Sequence, residues 1–84
     1  MGHYIITFRS VTYAQRGEGV LRSAGYRCSL SRTPRWMEEQ GCGYALRVWC
    51  REIEMAISLL RREQIPLRRV YYQEKEDVME VIAL

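Results

Sequence analysis

Cys42 stands between Gly41 and Gly43, with no side-chain bulk on either flank. A buried structural thiol prefers close apolar neighbours, so this setting suits a thiol presented for chemistry. Flanking glycines let a partner's backbone approach closely, and they also permit positive-φ turns. The competing reading is therefore that Gly-Cys-Gly is only a tight connection between two strands, with Cys42 an incidental small residue. Thiol chemistry needs the thiolate, and an ordinary thiol with a pKa of about 8.5 is only a few per cent ionised at neutral pH. Lowering that value by about 1.5 units, enough to ionise about half, requires about 2 kcal/mol. One guanidinium at about 4 Å supplies on the order of 1 kcal/mol in water and up to about 4 at an effective dielectric of about 20. Arg35 and Arg47 are the candidates for that anion-stabilising role, with Arg32 more distant in the argument; Glu38 and Glu39 oppose it if they turn toward the thiol.

Other chemistries find little support. Cys28, Cys42 and Cys50 contain no C-x-x-C spacing, and the single histidine, His3, is remote from all of them. No metal site is expected, and no cofactor. Cys42 has no His-Asp partner set and the chain has no phosphate-cradling glycine loop, so it is not expected to be an enzyme. Cys28 reads as a core residue of a strand. Cys50 reads as a weak cap of the helix it precedes or as half-buried, with a resolving role only if it folds back near Cys42. His3 reads as a strand-end surface residue, and the arginines at 61, 62, 68 and 69 as a solvated face.

Thirteen Lys+Arg against 10 Asp+Glu give a net charge of +3, too small a bias to indicate nucleic acid by itself. Only Lys75 is a lysine, and arginine is the better residue for planar anions. No run of about 18 apolar residues exists, so no membrane span is expected. "MGHYIITF" has no basic region followed by a long apolar stretch, which does not fit a signal peptide. An odd cysteine count without such a signal argues against a disulfide framework. The expected location is cytoplasmic.

The elements that must position these residues follow from pattern. His3–Phe8, "HYIITF", is a short β-branched and aromatic strand. Ser10 is placed to cap "VTYAQRGEGVLRSAG", a helix with Ala14, Leu21 and Ala24 near one face, stopped by Gly25. Gly17 and Gly19 weaken that helix but would let it sit close to a sheet. Tyr26–Ser31 alternates, with Tyr26, Cys28 and Leu30 on one face, as in a half-buried strand. Thr33 and Pro34 suit the start of one helical turn ending at Gly41. Tyr44–Trp49 is a third strand. In Arg51–Gln64, Ile53, Ala56, Ile57 and Leu60 fall at i, i+3, i+4 and i+7 of a helix, and Pro66 stops it. Leu67–Tyr72 is a fourth strand with arginines suited to an edge or a solvent face.

This β-α-β-β-α-β order predicts one α+β domain over residues 1–73, a ferredoxin-like four-stranded antiparallel sheet with two helices on one face. The first and third strands would lie in the middle. Residues 74–84 are left as a C-terminal tail or short helix, in which Val78, Val81 and Ile82 fit a helical spacing.

"YIITFRS" with "TYA" after it, "TPR" about eight residues ahead of "CG", then "CGYALRV", an amphipathic helix and "IPLRRVYY" together resemble the selenium/sulfur (Se/S) carrier-like family, over roughly residues 4 to 72. The resemblance implies that Cys42 is the carrier cysteine and that Thr33, Pro34, Gly43, Leu46 and Arg47 are motif positions. Gly41 stands where members often have serine or another small polar residue. The implied function is a non-enzymatic carrier that holds a persulfide or perselenide and works between sulfur- or selenium-donor and acceptor proteins. The alternative is a ferredoxin-like binding or regulatory module, for protein or single-stranded nucleic acid, with Tyr4, Tyr44 and Tyr71 as its aromatics. A third reading is a homodimer formed through strand edges or the C-terminal segment.

Overall fold

The computed structural model describes residues 2–33 and 43–81. The elements run β1 (His3–Thr7), α1 (Val11–Ser23), β2 (Arg27–Arg32), β3 (Tyr44–Trp49), α2 (Glu54–Arg62), β4 (Val70–Glu74) and β5 (Asp77–Val81). The five strands form one sheet in the order β2-β3-β1-β4-β5, and every neighbouring pair is antiparallel. The fold is α+β, as expected, with β1 and β3 inside the sheet. The four-strand expectation is corrected to five.

The extra strand comes from the segment read as a tail or short helix. Val78 and Val81, three apart, fit one face of a helix. In the strand they fall on opposite faces: Val81 packs against the main core and Val78 against the small cluster of Ile5, Ala45 and Tyr71. The hairpin turn is Lys75-Glu76, between the paired Glu74 and Asp77. Lys75 adopts φ 57° there, a conformation usually given to Gly or Asn, so the sequence carries no turn signal.

Residues directly opposite in antiparallel strands share a face. Ile6 pairs with Leu46 and Val70, and Val48 with Cys28; all five belong to the core cluster that also holds Leu21 of α1 and Ala56, Ile57 and Leu60 of α2. Both helices therefore cover the same face. Burying a Leu or Ile side chain is worth roughly 1.5–3 kcal/mol, and every residue of the predicted Ile53, Ala56, Ile57, Leu60 stripe is buried.

Ser10 caps α1 as expected, its Oγ accepting from the Tyr13 N–H at 3.2 Å. Ala24 is exposed just beyond the helix, and the third buried α1 position is Gly17 instead. A Cβ on Gly17 would lie 3.2 Å from Phe8 Cζ and 3.5 Å from Leu60 Cδ2, so its absence lets the helix approach the sheet. The second helix is shorter than its apolar pattern, because Ile53 at its start offers no side-chain cap. The fourth strand begins at Val70 rather than Leu67, although Arg68 and Arg69 already exchange backbone hydrogen bonds with Thr7. Among the described residues no helix is long and apolar enough to cross a membrane.

Candidate functional site

Cys42, Arg35, Gly41 and Pro34 lie outside the described residues, as do Trp36, Glu38 and Glu39 and the predicted helical turn. Thr33 and Gly43, on either side of that segment, are described. β2 and β3 stay paired to their last residues, Arg32 opposite Tyr44, and the Thr33 N–H then donates to the Gly43 carbonyl at 2.9 Å. The Arg32 guanidinium lies over the Tyr44 ring, 5.7 Å from its centroid. Gly43 has φ +82°, in the left-handed region that costs other residues about 1–2 kcal/mol. A glycine is therefore needed here for the turn itself. Motif position Leu46 is wholly buried in the core.

Arginines gather at this end of the sheet. β1 ends at Thr7, opposite Ala45, and exposed Arg9 follows it by two residues. Thr7 is bonded to the backbone of Arg68 and Arg69, where β4 begins. Arg32, Arg9, Arg68 and Arg69 thus sit at the same end as Thr33 and Gly43. Arg69 also pairs with Glu80 at 3.2 Å.

Arg47 lies four residues along β3 from Gly43, about 13 Å at about 3.3 Å per residue. Its side chain is on the face away from the helices. Nε donates to Ser31 Oγ at 3.0 Å, and Nη1 meets His3 Nε2 and donates to Gln73 Oε1 at 3.4 Å. Because the guanidinium only donates, His3 Nε2 must accept and the ring is neutral in this arrangement. Burial, and then the charge of Arg47, push the His3 pKa below its ordinary 6.5. His3 also packs on Trp49, ring centroids 5.3 Å apart, and Arg27 lies 5.1 Å over the same indole. His3 is thus half-buried within a polar network. Sequence spacing offers no signal of this, because His3 and Arg47 meet only through the β1–β3 register.

The two described thiols have their pKa values pushed up. Cys28 is 6% exposed, and burial raises its pKa, partly offset by the hydrogen bond and charge of Arg22. The Cys50 thiol donates to the Glu52 carbonyl at 3.4 Å; burial and the Glu54 carboxylate raise its pKa. Cys50 follows β3 at the end opposite Gly43. They are seven positions apart, about 23 Å at about 3.3 Å per residue.

Among the described residues no group of three or more His, Cys, Asp or Glu side chains could hold a metal ion. The tyrosines considered for base stacking do not form one platform. Tyr4 is opposite the core residue Val48, whereas Tyr71 is opposite Ile5 on the other face and is only 8% exposed.

No curated protein and no solved structure matches the chain. A protein-family comparison does: residues 3–72 match the family described as "Putative Se/S carrier protein-like". That span takes in β1 to the middle of β4, with Thr33, Gly43, Leu46 and Arg47 inside it, and the chain belongs to this Se/S carrier-like family.

Proposed function

We propose that the protein is a non-enzymatic chalcogen carrier with Cys42 as its covalent site. Family membership over residues 3–72 carries this reading. In the loading step the Cys42 thiolate attacks the outer sulfur of a donor's persulfide. The new S–S bond forms on Cys42, the donor's S–S bond breaks, and the donor leaves as its thiolate. Delivery is the same exchange with an acceptor thiolate, so neither step needs an oxidant or reductant. A selenium cargo follows the same bookkeeping of bonds. The partners are sulfur- or selenium-donor and acceptor proteins, and the setting is the cytoplasm.

Three features support the assignment of roles. Thr33 and Gly43 tie the ends of the Cys42 segment together through one backbone hydrogen bond, with Gly43 supplying the turn and Gly41 the clearance for a partner. Arg9, Arg32 and Arg68 add positive charge at that end of the sheet, which favours an anion. Arg35 is the sequence's own anion-stabilising candidate beside Cys42, and Arg47 holds the outer face of β3 through Ser31, His3 and Gln73. Finally, Cys28 and Cys50 are less ionised than ordinary thiols, which reserves exchange for the third. We read β1 to β4 with the two helices as a ferredoxin-like unit extended by β5.

The test is intact mass of the folded chain after incubation with glutathione persulfide. One added sulfur, removed by dithiothreitol and mapped to the peptide containing Cys42, is the expected result; Cys42→Ser abolishes it. An unmodified Cys42 with an ordinary thiol pKa would refute the carrier reading.

A further inference from the structure

The two edges of the sheet are treated differently. At the β2 edge the outward backbone groups belong to Cys28, Leu30 and Arg32, since Thr33 on the alternate parity bonds toward β3. Two of these groups are capped from α1: Arg22 Nη2 donates to the Cys28 carbonyl at 3.1 Å, and Glu18 Oε2 accepts from the Leu30 N–H at 3.2 Å. The capping pair is itself bridged, Arg22 to Glu18 at 3.3 Å. This is an explicit guard against edge pairing.

β5 has no such guard. A two-residue hairpin makes Glu74 and Asp77 a hydrogen-bonded pair, so Asp77, Met79 and Val81 turn their backbone groups toward β4. Val78 and Glu80 turn theirs outward, and among the described residues no hydrogen bond reaches those groups. The strand "DVMEV" has neither Pro nor Lys, two residues that commonly blunt an edge. Met79, at its centre, is 71% exposed.

We propose that β5 pairs antiparallel with β5 of a second copy, joining two five-stranded sheets across a two-fold axis at Met79. In that register Val78 faces the second copy's Glu80, and Asp77 faces the second copy's Val81, so no like charges are directly opposed. Each copy's Val78 and Glu80 then exchange both N–H and C=O bonds with the other copy. The two Met79 side chains meet as the close, non-hydrogen-bonded pair. Self-pairing fits this strand better than an arginine-rich peptide would, because Glu80 is already neutralised by Arg69 at 3.2 Å. A five-residue strand pair buries less than the roughly 1,200 Å² of a stable interface, so the dimer is weak and concentration-dependent.

The test is sedimentation equilibrium of the full chain from about 10 μM to about 1 mM, the range in which such weak association is read. Mass rising toward that of a dimer is expected, together with slowed amide exchange at Val78 and Glu80 as concentration rises. Val78→Pro removes an outward N–H without touching the β4 ladder, and should weaken dimerisation about thirtyfold through two lost inter-strand bonds. Because Val78 also packs on Ile5, Ala45 and Tyr71, Met79→Lys serves as the second variant; its side chain is exposed and it should weaken the dimer comparably. Met79→Cys, oxidised with copper–phenanthroline, should cross-link through residue 79 in the peptide map. A chain that stays monomeric throughout, or a dimer indifferent to both Val78→Pro and Met79→Lys, overturns the proposal. So does a monomer whose Val78 and Glu80 amides are protected only when an arginine-rich peptide is added, since the edge would then serve a different partner.

Discussion

Gly43→Ala separates two reasons for a glycine beside Cys42. If Gly43 serves only to clear space for a partner, alanine should leave the isolated protein's stability unchanged. Its φ of +82° says otherwise. A Cβ in the left-handed region costs about 1–2 kcal/mol, and alanine recovers about 0.4–1 kcal/mol by restricting the unfolded chain. The net is a loss of about 1 kcal/mol, or about 4–8 °C in Tm for a domain of this size. Gly43→Asn should lose less, because asparagine tolerates this region better. Gly19→Ala is the opposite-sign control: it lies within α1 with nothing within 4 Å of an added Cβ, so it should gain about 1 kcal/mol from helix propensity alone. Thermal unfolding by circular dichroism, with urea midpoints at unchanged slope, measures all three. A Gly43→Ala protein as stable as wild type would show that the turn does not require glycine, and the conformational argument would fail.

Other expectations follow from the same geometry. His3 is the single histidine, so one NMR titration reports it; its midpoint should lie below 6.5, and Arg47→Met should raise it while burial still holds it down. The unfolded chain binds this proton more readily than the folded one, so stability should be full above about 6.5 and fall as pH drops below that value; His3→Gln should flatten this part of a urea-midpoint-against-pH profile. In a Cys42→Ser background, Cys50 and Cys28 should both react slowly with a disulfide reagent at neutral pH, and Glu54→Gln should speed Cys50 alone. Ser10→Ala removes the side-chain cap of α1 and should cost about 1 kcal/mol in a urea titration.

What the sequence made legible were features decided by near neighbours along the chain. Ser10 ahead of a helical pattern, the alternation of Tyr26, Cys28 and Leu30, and the Ile53–Leu60 stripe each appear in the structure with the expected face buried or packed on the core. β5 was illegible because two valines three apart satisfy either period when each packs on a different face, and because a lysine takes the turn position that glycine would have marked. The Arg47–His3–Gln73 network and the Glu18–Arg22 guard on β2 were hidden for another reason. The network joins side chains distant in sequence, and the guard joins α1 side chains to backbone groups of β2; both meet only once register and helix placement are set. At the candidate site, the glycine-bounded connection between β2 and β3 was readable at Gly43, and the pairing of Thr33 with it needed the sheet.

The thiols supply a last prediction about how cargo leaves. A carrier whose inner sulfur could be attacked by a cysteine thiolate of the same chain would discharge itself, the internal disulfide forming as the outer sulfur leaves as hydrosulfide. Disulfide formation needs Cα atoms within about 7 Å. Gly43 and Cys50 stand at opposite ends of β3, about 23 Å apart at about 3.3 Å per residue, and Cys28 is four rows along β2 from the Arg32–Tyr44 pair. Each unit by which burial raises a thiol pKa also lowers its thiolate population about tenfold, so Cys50 and Cys28 are slow attackers as well as distant ones. Discharge should therefore depend on an outside thiol. In a folded chain loaded from glutathione persulfide and then freed of donor, the added sulfur should persist for as long as no thiol is supplied, and should leave at once with dithiothreitol. Cys50→Ser should not change that lifetime. Rapid loss of sulfur in wild type with a Cys42–Cys50 disulfide in the peptide map, cured by Cys50→Ser, would show that β3 does not hold the two ends apart and that Cys50 is a resolving thiol after all.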